Sequence, residues 1–201
     1  MIAKGLETGF NRVYYLIKLS LYFWGLSLSG LMVVGFVPAL LTLTEIHQEA
    51  AWNYKELTWK KSWALFKAYI IRGNQMMLIF GSTILFLLLN LYLSVQTQGF
   101  IFVVIDFLII AVLFLMINVF ILSILITVTY EINLSNTLKL AFITFFTSLK
   151  ECLVAGICLV VIWTITYRYP GLILFISVGL SVAVVNQVTT KIFNRLKIES
   201  I

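Results

Sequence analysis

The chain has 201 residues, 62% of them hydrophobic and 11% charged, with a formal net charge of +6. A soluble domain carries about a quarter charged residues, so this composition, at a mean hydropathy of +1.06, excludes an ordinary water-soluble enzyme. It also excludes a disordered chain, which needs low hydrophobicity and high charge, while two cysteines and one histidine exclude a disulfide framework and leave little for a histidine-rich metal site.

A membrane-crossing helix needs about 20 apolar residues. Five runs approach or exceed that length: 19–43, 76–93, 101–127, 152–167 and 171–188. They are continuously apolar rather than alternating, which favours helices over a barrel. The predicted fold is all-α: one polytopic membrane bundle of about five transmembrane helices with added amphipathic interfacial helices. The first run is too long for the apolar core of a cleavable signal peptide, and no small-x-small site follows it. Gly35 and Pro38 interrupt it near its end. Proline removes a backbone donor and clashes with the preceding turn, so a kink, a helix end or an opened backbone lining a site is expected there.

Residues 94–99 form a tight uncharged turn, and residues 167–171 form another, with tyrosines suited to the headgroup layer. The other two connections, 44–75 and 128–151, are long. In the first, Trp59, Trp63, Phe66 and Ile70 recur at helical spacing, with Lys60, Lys61 and Lys67 elsewhere around the wheel. That pattern predicts an interfacial helix over 58–71, which could also offer Trp59, Trp63, Phe66 and Lys67 to a partner. In the second, Ser135 or Asn136 can cap a helix carrying Leu138, Ala141, Phe142, Phe145 and Leu149. Leu65-Phe66, Tyr69 and Ile70 align with Ala141-Phe142, Phe145 and Phe146, a weak internal duplication. Ten of the fourteen basic residues fall in the two long connections and the C-terminal tail, so the positive-inside rule places these in the cytoplasm and the N-terminus outside. The basic stretch Lys191, Arg195 and Lys197 looks like an interfacial anchor. Nucleic-acid binding is not expected, because no recognisable module accompanies the basic residues.

Asp106 is the one ionisable residue well inside an apolar run, and intramembrane acids are functional candidates. It lies instead at the interface if the hydrocarbon core begins near Leu108. Asn118 is expected to link helices by a hydrogen bond. Glu45, His47 and Glu49 invite a metal reading, but His47 is two residues from each glutamate and points elsewhere on a helix. A solvated helix start explains them better. Cys152 and Cys158 are expected to remain unpaired, small and apolar. Gly25, Gly30 and Gly35 in the first run, and Ser177, Gly179, Ser181 and Ala183 in the fifth, form small-residue faces for close helix packing. No catalytic motif is present, and neither cofactor nor metal is expected.

Gly35-Phe-Val-Pro38-Ala39, a charged stretch, Trp63-Ala-Leu-Phe66-Lys67, Asn74, Tyr130-Glu131 and Leu138-Lys-Leu-Ala141-Phe142 occur in that order. Over essentially the whole chain this resembles the YesL-like family, small bacterial membrane proteins of unknown function. The resemblance implies a multi-pass protein of the bacterial plasma membrane, encoded near sugar-uptake ABC transporters. The expected function is that of a non-enzymatic accessory or assembly partner of a carbohydrate uptake system, in contact with the bilayer and with a sugar ABC transporter permease. The alternative is a small self-standing transporter or channel-like homo-oligomer.

Overall fold

The computed structural model describes residues 2–130 and 132–199, with side chains over 6–130, 132–190 and 192. Lys4, Glu131, Lys191, Arg195 and Lys197 therefore lie outside the described side chains. Helices account for nearly all of it: α1 (Ile2–Ser29), α2 (Val33–Ala50), α3 (Trp59–Val95), α4 (Phe100–Thr129), α5 (Leu134–Thr147), α6 (Leu149–Arg168), a π-helical segment (Ile173–Ser177) and α7 (Val178–Glu199). No strand occurs among the described residues. Four segments are long and apolar enough to cross a membrane: α3, α4, α6 and Ile173–Thr190. The protein is a helical membrane protein.

The apolar run 19–43 is not one helix. The chain reverses at residues 30–32, where Leu31 and Met32 both take positive φ (58° and 59°). L-residues pay a steric cost in that region; two in succession mark a forced apex. The two arms run antiparallel. Tyr15 meets His47 near the open end, and Ser27 meets Gly35 near the apex. Glycines make this approach possible: a Cβ on Gly35 would lie 2.7 Å from the Ser27 carbonyl oxygen, and one on Gly30 would lie 2.5 Å from Gly35 Cα. The small-residue reading of this run was right, but what it packs is one helix of the run against the other.

The second expected span and its interfacial helix are also recast. Residues 59–95 form one unbroken α3 of 37 residues, about 55 Å long at 1.5 Å per residue. The aromatic stretch 59–70 is thus the first third of a helix that later becomes membrane-like, and not a separate element lying flat. α4 matches the third expected span to within two residues. It pairs antiparallel with α3 through Phe80 and Phe120, whose ring centroids are 5.1 Å apart, and through Thr127 and the Met76 sulfur.

α5 does not lie free in the interface. Its buried Phe145 meets Phe114, halfway along α4, at 6.5 Å, and Arg72 of α3 donates to the Ile132 carbonyl and to Thr137 at its start. Ser148 then breaks the helix (φ −127°, ψ 41°) before α6. The suggested duplication therefore fails structurally: α3 is continuous where α5 and α6 are broken. The last span begins as a π-helix and continues as α7, which packs on α1. A Cβ on Gly179 would come within 2.7 Å of the Leu16 carbonyl, and the Gly179 N–H donates to Ser20 Oγ at 2.9 Å.

Candidate functional site

The expected site residues fall in three places. Gly35 and Pro38 lie in the α1–α2 hairpin. α2 runs through Pro38 without ending, and the Pro38 ring is met by the backbone of α3: a Cβ on Gly73 would lie 2.7 Å from Pro38 Cδ and Cγ. Both residues are at helix crossings. Trp59, Trp63 and Phe66 form a stacked ladder along α3, with centroids 6.4 and 5.7 Å apart. Its two ends differ. Phe66 is buried in the core, whereas Trp63 and Lys67 are exposed and Trp59 is exposed on one side while its ring edge closes on Gly25 and Tyr22. Asp106 sits in the second turn of α4, far from both groups along the chain, with Oδ1 buried and without a hydrogen-bond partner.

Glu45, His47 and Glu49 occupy the last turns of α2, not a solvated helix start. They do not converge: Glu45 keeps a buried carboxylate oxygen without a hydrogen-bond partner, and the other two address separate groups. Glu49 pairs with Lys61, while buried His47 shares a 2.9 Å hydrogen bond with the fully buried Tyr15 hydroxyl. Trp52 closes on both rings (5.4 Å to Tyr15, 5.2 Å to His47), and the Arg12 guanidinium stands 5.5 Å above Trp52. Burial lowers the His47 pKa to about 4, so its ring is neutral at pH 7. Burial, with a smaller contribution from Glu56, raises the Tyr15 hydroxyl above its ordinary value. The cluster is a neutral, hydrogen-bonded clamp at the open end of the hairpin. Ala51 and Trp52, with φ of 42° and 74°, turn the chain sharply enough to bring the indole back onto it.

A cavity of about 410 Å³ opens between α1, α2, α4, α6 and α7. Its walls are apolar, and three of the four polar side chains in them bond to backbone carbonyls, the exposed Trp163 indole being the fourth. Thr44 donates to the Leu40 carbonyl, Ser181 to the Ser177 carbonyl, and Trp24 Nε1 to the Ile173 carbonyl at 3.0 Å. That last bond clasps α1 to the π-helical segment, and Thr166 and Ser177 tie the same segment to α6 at 2.6 Å. Gln48 and Asn186, one turn beyond Thr44 and Val182, join α2 to α7 at 3.0 Å. Phe36, Ile117 and Trp163 at the rim are exposed. Asn118 was expected to link helices but returns its amide to the Phe114 carbonyl of its own helix. Cys152 is buried and Cys158 half-buried, neither bonded.

Nothing in the sequence signals this cavity. Trp24 and Ser181 each look like ordinary membrane residues, and the π-helix has no compositional mark. Only the small-residue pattern of residues 177–183 hinted at a packed junction there. Among the described residues, no group of three or more histidine, cysteine, aspartate or glutamate side chains could hold a metal ion. A family model described as "Protein of unknown function, DUF624" matches residues 16–91, from α1 through most of α3. Neither the curated proteins nor the solved structures contain a match to the chain.

Proposed function

We propose that this protein is a non-enzymatic accessory of a carbohydrate-uptake ABC system in the bacterial plasma membrane, where it packs against the permease. One observation carries the reading. The most membrane-like stretches of α3 and α4 are only 11% and 6% buried within the chain. A transporter working alone wraps a pathway inside its bundle, whereas these helices leave nearly all their side chains at least partly exposed, available to lipid or to another membrane protein. Likeness to the YesL-like family at Gly35, Pro38, Trp63, Phe66, Lys67 and Asn74 supplies the sugar-uptake context, and all six positions fall inside the matched stretch 16–91. The exposed ring of Trp63 beside Lys67 gives the assembly a basic aromatic edge on the side proposed as cytoplasmic.

Affinity purification of the tagged chain from native membranes in a mild detergent tests this. Recovery of a sugar-transporter permease in stoichiometric amount is expected. Recovery of a homo-oligomer without permease, together with solute flux in liposomes made from the pure chain, would replace it with the self-standing transporter reading.

A further inference from the structure

We infer that α1–α2 is a re-entrant hairpin: it enters the bilayer from the cytoplasmic side and returns to that side, so the chain crosses the membrane four times with both termini inside. The two ends of the hairpin are tied together. Tyr15 shares a hydrogen bond with His47, Lys18 donates to the Tyr54 carbonyl and Tyr22 to that of Leu57. The start of α1 and the connection 51–58 therefore lie on one side of the membrane. Between them, the reversal divides the uncharged run 19–43 into two arms, 19–29 and 33–43, each about 16 Å long. The hydrocarbon core is about 30 Å thick, so neither arm crosses it. The four segments of crossing length include neither α1 nor α2. The apex suits hydrocarbon. Leu28, Leu31, Met32, Val33 and Val34 are all exposed and all apolar. An unpaired amide is costly in lipid, where no water satisfies it. Here the amides of residues 30–33 donate to the Leu26, Leu28, Ser27 and Leu31 carbonyls, at 3.2, 3.1, 2.8 and 2.7 Å, and Ser29 Oγ donates to the Leu26 carbonyl. Pro38 rests on Gly73 while Glu49 pairs with Lys61. α2 is thus antiparallel to α3, and its apex end points along α3 toward the apolar stretch that begins at Met76.

Charge fixes the side. Arg72 ties the first third of α3 to Ile132 and Thr137, and Gln48 ties the end of α2 to Asn186, near the end of the last crossing. The N-terminal segment, both long connections and the C-terminal segment thus share one side, and thirteen of the fourteen basic residues lie on it. The other side has Arg168 and Asp106, whose charges cancel, so the whole net charge of +6 belongs to the first. Five crossings would leave Lys4, Arg12 and Lys18 outside. Four crossings meet the positive-inside rule far more fully, and the anionic inner leaflet attracts the basic face that results. Exposed Lys60, Lys67, Lys139 and Lys150 all belong to that face. The arrangement needs only the single chain and holds with or without a permease.

Single cysteines and a membrane-impermeant maleimide test the inference, in right-side-out and inside-out membrane vesicles from bacteria expressing the full chain. Native Cys152 is buried and Cys158 half-buried, and the unsubstituted chain gives the background labelling. Asn11→Cys and Asn53→Cys should react only in inside-out vesicles, and Gln98→Cys only in right-side-out ones. Leu31→Cys should react in neither until detergent is added. All four positions are exposed on the chain, so each variant should fold, which a single symmetric peak on size exclusion in detergent confirms. If Leu31→Cys does not give one, Leu28→Cys serves in its place. Labelling of Asn11→Cys in right-side-out vesicles would place the N-terminus outside and overturn the inference. So would labelling of Leu31→Cys in intact vesicles of either orientation, because the apex would then stand in water. Labelling of Gln98→Cys only in inside-out vesicles would overturn the assignment of the basic face to the cytoplasm.

Discussion

The α1–α2 hairpin and the α3–α4 hairpin are both pairs of antiparallel apolar helices, yet they are held together differently. In the first, Tyr15, Leu19, Phe23 and Leu26 are essentially inaccessible, and hydrogen bonds tie it to three other parts of the chain: the 51–58 connection, the π-helical segment and α7. Lys18 and Tyr22 donate to the Tyr54 and Leu57 carbonyls, Trp24 to Ile173, and Gln48 to Asn186, while Ser20 accepts from Gly179. In the second, polar side chains such as Ser82, Asn90, Asn118 and Ser123 bond to carbonyls of their own helices. The most hydrophobic stretch of the protein is therefore its least buried. In water that would be contradictory, but in lipid apolar surface has no drive to hide, and helices associate through close packing and polar contacts instead. The first hairpin has both of these and the second has few.

The largest test of this contrast uses glycine. Gly35→Ala places a Cβ 2.7 Å from the Ser27 carbonyl and 3.0 Å from Gly30 Cα. Overpacking backbone against backbone should cost about 2–3 kcal/mol. Gly81→Ala on α3 meets only the Met77 side chain, at 3.9 Å, and should stabilise by about 0.5–1 kcal/mol through helix propensity. Thermal unfolding in detergent, followed by tryptophan fluorescence, compares the two. Equal effects would mean that the apex is not a close-packed crossing.

The next test is pH. His47 is depressed to about 4 in the folded chain, against about 6.5 when unfolded. Between those values the unfolded state binds the extra proton, so stability falls as pH drops from about 6.5 toward 4. The loss approaches about 3 kcal/mol at the acid end, with no contribution from this group above pH 7. His47→Gln should flatten the slope of melting temperature against pH over that window. An unchanged slope would assign it to other groups.

A smaller effect, about 1 kcal/mol, is expected for Trp24→Phe. It removes the N–H clasp on Ile173 and should be read as a lower melting temperature with α3 and α4 unaltered in hydrogen exchange.

How much of this was legible beforehand follows from the same contrast. Helix class and the positions of α4, α6 and the final span follow from run length alone, because a lipid-facing helix needs nothing else. Gly25, Gly30, Gly35 and Gly179 were visible as packing residues for the same reason. The reversal at residues 30–32 was not visible. Leu31 and Met32 are ordinary residues for a span, and only tertiary contacts hold them at positive φ. Pro38 drew attention instead, yet a proline inside a helix is tolerated when a neighbour packs against it, as Gly73 does. The Tyr15–His47 pair joins residues 32 apart, a separation no local pattern encodes. The aromatic ladder at 59–66 was legible as one face, but periodicity cannot distinguish a helix lying flat from the start of a longer one.

The smallest expected effect lies in the second hairpin, at Asp106. Extending the register set by Phe80 with Phe120 places Ser94 at the height of Asp106, near the turn that joins α3 to α4. Both residues carry a buried oxygen without a hydrogen-bond partner. A desolvated carboxylate oxygen without a partner contributes little to holding two helices together and is costly to bury. Asp106→Asn removes the charge and adds two N–H donors in the same volume. It should therefore leave the isolated chain unchanged or more stable by about 0.5–1 kcal/mol. If Asp106 instead meets a cation on a permease, the same substitution weakens recovery of that partner from native membranes while leaving the purified chain's melting temperature in place. A drop of more than about 1 kcal/mol in the purified chain would show that the second hairpin carries a polar lock of its own, and the distinction between the two hairpins would fall.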